Sequence, residues 1–472
     1  MRPPVNGHDD RWDVIVIGGG NAALVSAMSA HDQGARVLVL ERADPVFRGG
    51  NSRHTRNIRC VHASADAYNT GAYPFEELWR DLCGVGTGPS DEELARLTVT
   101  ESETVPGWMT AHGALWQRPL TGTLHLGRTN RFFLGGGKAL LNSYYRQLRR
   151  RGIPVWYEAK VESLAFSGNR CTALTVEVAG VRTSLTAAAV VCASGGFEAN
   201  LDWLRQYWGD AVANYHIRGT RLNDGLILRQ LLDHGAAVAG EERGFHSVAV
   251  DARSPRFDGG IATRVDSIPF GVVVNAHGRR FYDEGEDIWP KRYAIWGRNL
   301  AQQPDQLGYC LWDSKVQGLF LPPMYGVYRA GSVAEVAAQM GVDAQAVTAT
   351  VAEYNAAVPD DAGLRFDPSG LDGVHTNGVT PAKSNWAQRI DQPPFYGIAV
   401  RPGITFTYMG AKVDARGRVL LADGSAMDNV FAAGEIMSGN VLSSGYLAGF
   451  GMTIGTVWGR ISGREAARHA LR

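Results

Sequence analysis

Two short apolar runs, Val14–Ile17 and Val37–Leu40, are separated by three glycines and a stretch of small, alternating residues. An unbroken apolar run closed by glycine suits a parallel strand covered on both faces. Asn21 to about Gln33 predicts a helix between them, small enough along one side to lie close to the sheet. The spacing Gly18-x-Gly20-x-x-Ala23 adds a specific chemistry to this strand–helix–strand unit. Gly18 permits the tight turn, Gly20 lets a pyrophosphate approach the backbone, and Ala23 lets the helix pack on the strand. The pyrophosphate would sit where Asn21 and Ala22 open the helix, because free N–H groups and the macrodipole favour anions there. Glu41, with Arg42 beside it, ends the second strand and is placed to accept hydrogen bonds from a ribose.

The same reading continues along the chain. An acidic first turn at Ser90–Glu93 predicts a helix over 90–112, and a second helix runs from about Lys138 to Arg151. Strands alternate over Val155–Val178, and a buried strand, Ala187–Ala193, runs into Ser194-Gly195-Gly196-Phe197. Asp224-Gly225 opens a helix ending near Gly235. From about Gly240 loops, prolines and tryptophans multiply, and residues 240–404 read as a second domain inserted into the first. Near the end, Asn429–Ala433 is again a strand entering a glycine, at Gly434-Glu435. The closing helix carries Gly449, Gly451, Gly455, Gly459 and Gly463, which would bring it close to another backbone or a cofactor, or simply pack it on the sheet.

A chain of 472 residues is long enough for two domains. Equal numbers of acidic and basic residues, 47 each, remove any global field that would favour nucleic acid or a membrane surface. No apolar run approaches the ~18 residues of a membrane span. The amino terminus lacks the apolar core of a signal peptide, so a cytoplasmic protein is expected. Five scattered cysteines without a CxxC pair favour free thiols over zinc or an iron–sulfur cluster. Any electrons handled here must therefore rest on an organic cofactor. Gly49-Gly50-Asn51-Ser52 is a compact turn able to wrap such a cofactor, and Arg53, His54, Arg56, Arg59 and His62 follow it as either a solvated or an anion-binding loop.

VIGGGNAA with Glu41, the GGNS turn, VVCASGGF, NAHGRRFYDE and NVFAAGEIMSG resemble, in order and spacing, the flavoproteins of the fumarate reductase and succinate dehydrogenase superfamily. The resemblance implies an α/β fold: a Rossmann-like FAD-binding domain of the GR2 flavoprotein type, residues 1–239 and 405–472, with an inserted α+β capping domain, 240–404. It implies non-covalent FAD, held by Gly18, Gly20, Asn21, Ala22, Glu41, Arg42, Gly50, Asn51, Ser52, Ala193, Ser194, Gly195, Gly434, Glu435, Ser444 and Leu447. Arg53-His54-Thr55 is similar to the segment through which some members attach FAD covalently, but its register differs.

Within the superfamily, RGGNSRHTRNIRC, PGITFTYMGAKVD and GYLAGFGMTIG are most similar to the tricarballylate dehydrogenases, with related motifs in a flavoprotein module of the cobalamin pathway. That implies desaturation of a propane tricarboxylate to cis-aconitate, and a membrane iron–sulfur and haem protein as electron acceptor. Carried over by motif, His246 binds a carboxylate, Thr263 and Arg264 fall on a Thr-Glu pair, and Arg292 falls on the proton-transferring arginine. An arginine is a reluctant base, so that role needs desolvation and neighbouring positive charge. Thr405 with Phe406, and Tyr446, stand where fumarate reductases carry a second carboxylate-binding histidine and arginine, and Ser267 replaces a relay arginine. Arg264, Arg56, Arg59, Arg128 and Arg131 are the candidate forks for several carboxylates, and Tyr446, Phe406 and Trp289 the candidates to close the pocket. Two further readings remain beside a small-polycarboxylate dehydrogenase: a tailoring oxidoreductase on a larger polycarboxylate such as a tetrapyrrole, and an electron-transfer subunit.

Overall fold

The computed structural model describes residues 11–119 and 126–472. Residues 1–10, on which the expectation about a signal peptide falls, lie outside them. In chain order, the elements that build the site are β1 (Arg11–Ile17), α1 (Asn21–His31), β2 (Val37–Leu40), α2 (Gly136–Arg150), β3 (Val155–Trp156) and β4 (Val181–Cys192). They continue with β5 (Phe245–Asp251), β6 (Val272–Asn275), β7 (Gly308–Asp313), β8 (Phe395–Thr407), β9 (Arg418–Leu420), β10 (Ala426–Ala432) and α3 (Phe450–Ala470).

The first sheet has a path β9-β10-β4-β1-β2-β3 that is parallel except at the edge strand β9, and an antiparallel pair, Ala159–Ser167 with Arg170–Val178, joins it antiparallel to β4. Val14–Ile17 and Val37–Leu40 are buried on both faces, as unbroken apolar runs in a parallel sheet should be. The register matters for function. Ile17 stands opposite both Leu40 and Cys192, and Ala432 opposite Cys192, so four strands end at one level. Three of them, β1, β4 and β10, then enter a small-residue turn, at Gly18, at Ala193 and at Ala433. A crevice outside the carboxyl ends of parallel strands is where ligands bind in open α/β sheets.

α3 finds its place against α1 rather than on the sheet alone. A Cβ at Gly459 would lie 2.8 Å from the Ala22 carbonyl oxygen, and one at Gly463 would lie 2.3 Å from that of Ser26. The two helix backbones therefore touch, and the Asn21 amide bonds Thr456 Oγ1 at 2.9 Å across the same seam. The helix expected over 90–112 is two, Glu92–Ser102 and Val105–Ala111, because Pro106 opens a new first turn.

The second sheet is ordered Ile217-β8-β7-β6, with β5 and Tyr328–Ala330 also paired to β8. Helices Val333–Met340 and Ala344–Ala357 supply apolar side chains to one of its cores, and the Phe270, Trp289, Trp296 and Trp312 side chains to another. This is the α+β layer expected beside the Rossmann-like sheet. β8 spans thirteen residues: its beginning pairs with β7, and its end pairs with β5, setting Phe406 opposite His246. Among the described residues no helix is long and apolar enough to cross a membrane, and no group of three His, Cys, Asp or Glu could hold a metal. The five cysteines are free.

Candidate active site

The three turns line one cavity of about 1600 Å3, mouth included, with Gly18–Ala22, Ala193–Gly195 and Ala433–Glu435 in its wall. Gly18 has φ +118°, and a Cβ there would lie 2.3 Å from the Ala193 carbonyl oxygen, so only glycine lets β1 and β4 enter their turns side by side. Gly20 caps α1 without a side chain, which leaves the first-turn amides other than Asn21 N to the cavity. Asn21 N donates to Ser52 Oγ at 3.0 Å, fastening the GGNS turn to the helix start. Glu41 lies in the same wall, buried. Its carboxyl is pushed up by burial and drawn back by bonds from Ala43 N–H, Gly49 N–H and Tyr145. Arg42 is anchored to Asp224 Oδ2 at 2.6 Å.

Gly50, Asn51 and Ser52 also line the cavity. Asn51 acts as a strut, donating to Glu198 at 2.5 Å and to the Thr405 carbonyl at 2.6 Å while accepting from Thr220 N at 2.8 Å. Two of the expected cofactor residues stand elsewhere. Ser444 Oγ accepts from Thr87 N at 2.9 Å, and Leu447 is fully buried in the apolar core; neither is part of the cavity wall. Their loop arrives at the site, but through Tyr446, Ala448 and Gly449.

Below the turns lies a pair of carboxyls that sequence reading left unremarked in part. Glu198 and Glu435 are both buried and hydrogen-bonded to each other, and no basic side chain is paired with either among the described residues. Glu435 accepts from Thr407 N at 2.9 Å, and Glu198 from the Asn223 amide at 2.8 Å. Burial pushes both acids up, Glu435 the further because the Glu198 charge adds to it. The folded chain then binds protons that the unfolded chain releases above 4.5, and stability falls as pH rises from there. Glu198→Gln replaces the shared proton by an amide N–H donating to Glu435, with its carbonyl still accepting from Asn51 and Asn223. It is expected to raise the melting temperature at about pH 8, with the gain shrinking toward acid pH. Melts of the two proteins across that range check this.

On the far side of the cavity wall stand Arg56, Arg218, His246, Arg264, Tyr293, Thr405, Phe406 and Tyr446. Arg264 is paired: its Nε and Nη2 meet the two Asp266 oxygens at 2.6 and 2.8 Å, and Trp289 Nε1 bonds the same carboxylate at 2.8 Å. The other two guanidiniums are not. Nε and Nη2 of Arg56, and Nε and Nη1 of Arg218, are shielded from solvent with no acceptor among the described residues. Burial pulls each of these arginines down to about 10, helped by the charge of Arg264. Both stay cationic at neutral pH. Three guanidiniums and one carboxylate thus leave two uncompensated positive charges facing one space.

His246 is 3% exposed, and burial together with Arg218 and Arg264 keeps its imidazole neutral, far below its ordinary range. Its Nε2 lies 3.2 Å from the Tyr293 hydroxyl, and its ring lies over Tyr446 with centroids 4.0 Å apart. Tyr446 Oη accepts from Gly451 N at 3.1 Å, and Thr405 Oγ1 is buried without a partner among the described residues.

Several sequence expectations separate here. Arg292 does not line the cavity; it points the other way, its Nε 3.5 Å from Glu286. Thr263 is buried outside the cavity, its hydroxyl spent on the Gly260 carbonyl at 2.8 Å. Arg59 is locked to the Ala448 carbonyl and Tyr73, Arg128 to Glu77, and Arg131 to Asp66 and Asn69, so none is a free fork. Trp289 serves Asp266 rather than the pocket mouth. Arg218, Tyr293 and Asp266 were not foreseen. Arg218 lies on an unremarkable loop, and pairing of His216–Ile217 with Gly403–Ile404 carries it in.

A family model described as FAD binding domain matches residues 13–451. The chain belongs to this family. The flavoprotein is 26% identical over 478 residues to the NADH:fumarate oxidoreductase of Klebsiella pneumoniae, covering 97% of this chain but 48% of that protein, so it spans about half of that relative's length. A flavocytochrome c3 fumarate reductase in its open conformation shares the fold with a TM-score of 0.74 at 21% identity, covering 99% of this chain and 80% of that one. A 3-ketosteroid-delta4-(5alpha)-dehydrogenase from Rhodococcus jostii does so with a TM-score of 0.75 at 21% identity, covering 99% of both. FAD is the cofactor, and the uncapped helix, the Gly18 turn and the buried Glu41 in one continuous cavity fit it. Bound there, FAD supplies a two-electron hydride acceptor, while the protein supplies orientation and charge.

Proposed function

We propose that this flavoprotein desaturates a CH–CH bond of a small polycarboxylate, with tricarballylate to cis-aconitate as the reaction its sequence motifs favour. The observation that carries the reading is the pair of unpartnered guanidiniums, Arg56 and Arg218, facing the same space as Arg264. Cations stranded away from water are costly unless paired, and planar forks match carboxylates bidentately. Neutral His246 and the free Thr405 hydroxyl add uncharged donors for a further oxygen. Positive charge on a carboxylate stabilises enolate-like charge as the neighbouring C–H bond breaks. An apolar ketone, such as a steroid, would leave those charges uncompensated. A larger polycarboxylate is disfavoured because the dinucleotide already claims much of the 1600 Å3.

FAD is read as non-covalent: His54 Nε2 is engaged with Asp258 at 3.2 Å. Residues 240–404 are read as the cap over the substrate, and a separate protein, a quinone or oxygen as the re-oxidant, with a membrane iron–sulfur and haem protein among the candidates. Localisation at the inner face of the membrane through that partner belongs to the same proposal.

Anaerobic mixing with tricarballylate is expected to bleach the flavin at least about a hundredfold faster than succinate, since losing one buried charge-assisted pair costs about 3 kcal/mol. Fumarate should not bleach it at all. Equal bleaching by succinate, or none by any polycarboxylate, would sink the reading.

A further inference from the structure

Arg292 and Tyr293 are neighbours in the chain, yet the turn joining Trp289–Arg292 to Tyr293–Ile295 sends their side chains to different places. Arg292 leaves the cavity for Glu286. Tyr293 enters it, 4% exposed, with its hydroxyl 3.2 Å from His246 Nε2 and its ring 4.6 Å from the Arg264 guanidinium carbon.

The groups that face this hydroxyl are mostly cations. Burial pushes its ionisation up, while Arg264, Arg218, Arg56 and Arg59 all pull it down. Asp266 lies close by, and Arg264 neutralises it. Burial outweighs the arginines, so the hydroxyl ionises above the ordinary phenol value; a phenol is still a far better proton donor and acceptor than a guanidinium.

The other candidates in the cavity are spoken for. Tyr446 Oη accepts from a backbone amide, and burial, with the charge of the Tyr293 phenol added, pushes it up. Glu435 shares a proton with Glu198, and Asp224 holds Arg42. His246, kept neutral by two arginines, is a poor proton acceptor, but its ring nitrogen fixes the direction of the Tyr293 oxygen.

We propose that Tyr293 Oη, and not Arg292, exchanges the proton with the substrate carbon beside a bound carboxylate, with His246 as its positioning residue. The assignment rests on the polycarboxylate reading above. In the oxidative direction Tyr293 reacts as the phenolate, having first given its proton to water: the C–H bond next to the carboxylate breaks, and its proton forms the O–H bond of Tyr293. The electron pair left on that carbon becomes the second bond of C=C as the adjacent carbon gives its hydride to bound FAD, which is reduced by two electrons. Water takes the proton from Tyr293 before the next turnover.

The test uses the full-chain holoenzyme. Tyr293→Phe is expected to slow anaerobic bleaching by tricarballylate by about a thousandfold, within the range of a lost general acid–base. Its calorimetric dissociation constant for tricarballylate should stay within about threefold, because the three arginines are untouched. The rise of wild-type rate with pH should vanish with it. Replacing Tyr293 by 3-fluorotyrosine, whose phenol is more acidic, should move that rise to lower pH while leaving packing intact. Arg292→Lys should keep the rate within about tenfold. A fast Tyr293→Phe enzyme, a pH profile that ignores the fluorine, or the large loss at Arg292→Lys instead would overturn the assignment. If no polycarboxylate binds or bleaches the wild type, the functional reading fails and the assignment with it. Bleaching that is equal in wild type and Tyr293→Phe defeats the assignment alone.

Discussion

Replacing Arg218 by methionine is expected to lower kcat/KM for the polycarboxylate by about a thousandfold and, at the same time, to make the substrate-free protein more stable. The two effects share one cause. Arg218 is 6% exposed, with Nε and Nη1 shielded and unpaired. Its pull from 12.5 to about 10 reflects a cost of about 3 kcal/mol for holding the charge there. A methionine of similar length removes that cost, and the thermal midpoint should rise by several degrees. With substrate present the sign reverses, because a buried carboxylate loses its fork and about 4 kcal/mol of pairing goes with it. Arg218→Lys keeps the charge but not the planar fork, and should fall between the two. Steady-state kinetics and thermal melts on the same preparations test both halves. A loss of activity accompanied by a lower melting temperature would mean that Arg218 is a structural residue.

Gly18→Ala is expected to yield a protein that neither holds FAD nor melts where the wild type does. The new methyl would lie 2.3 Å from the Ala193 oxygen at a backbone φ of +118°, and relief requires parting β1 from β4. Ala193 N donates to the Ile17 carbonyl at 2.9 Å at that junction, so the parting breaks the ladder where both strands deliver their turns. Overpacking against backbone, added to left-handed strain, costs roughly 4 kcal/mol or more. Gly20→Ala separates the two roles of this turn. Its φ of −78° suits any residue, and the nearest atom to the methyl is Ser52 Oγ at 3.4 Å. The FAD-stripped Gly20→Ala protein should melt like the wild type, yet it should purify with little flavin because the methyl occupies the space of the pyrophosphate. The absorbance ratio of flavin to protein and melts of stripped protein distinguish the cases.

What was legible in the sequence was what local pattern fixes. Val14–Ile17, the glycine turn, α1 and Val37–Leu40 follow from spacing over a few residues, and they appear where the spacing puts them. The turns at Ser194 and Gly434 were legible for the same reason. Charge density along the chain was a poor guide, because it says nothing of partners. Arg59, Arg128 and Arg131 looked like Arg56, yet Asp81, Glu77 and Asp66 lie near enough to pair with them and none pairs with Arg56. Arg218 was invisible because a strand of two residues, His216–Ile217, brings it to the site by pairing with a segment far along the chain. Motif counting placed Arg292 within one residue of the cavity, but on a short helical turn one residue is about 100° of rotation. The side chain that enters is its neighbour's.

β8 gives the molecule an unequal pair of connections. The chain leaves the first sheet through the loop at Gly240–Gly244 and returns along a continuous thirteen-residue strand clamped by β7 at one end and β5 at the other. One link is a cord and the other a beam. Any swing of the second sheet away from the cavity would have to twist that beam about its own length. The tip that twists is Thr405–Thr407, which carries the free hydroxyl, the ring opposite His246 and the amide holding Glu435. Torque on the second sheet would thus be delivered to the floor of the site.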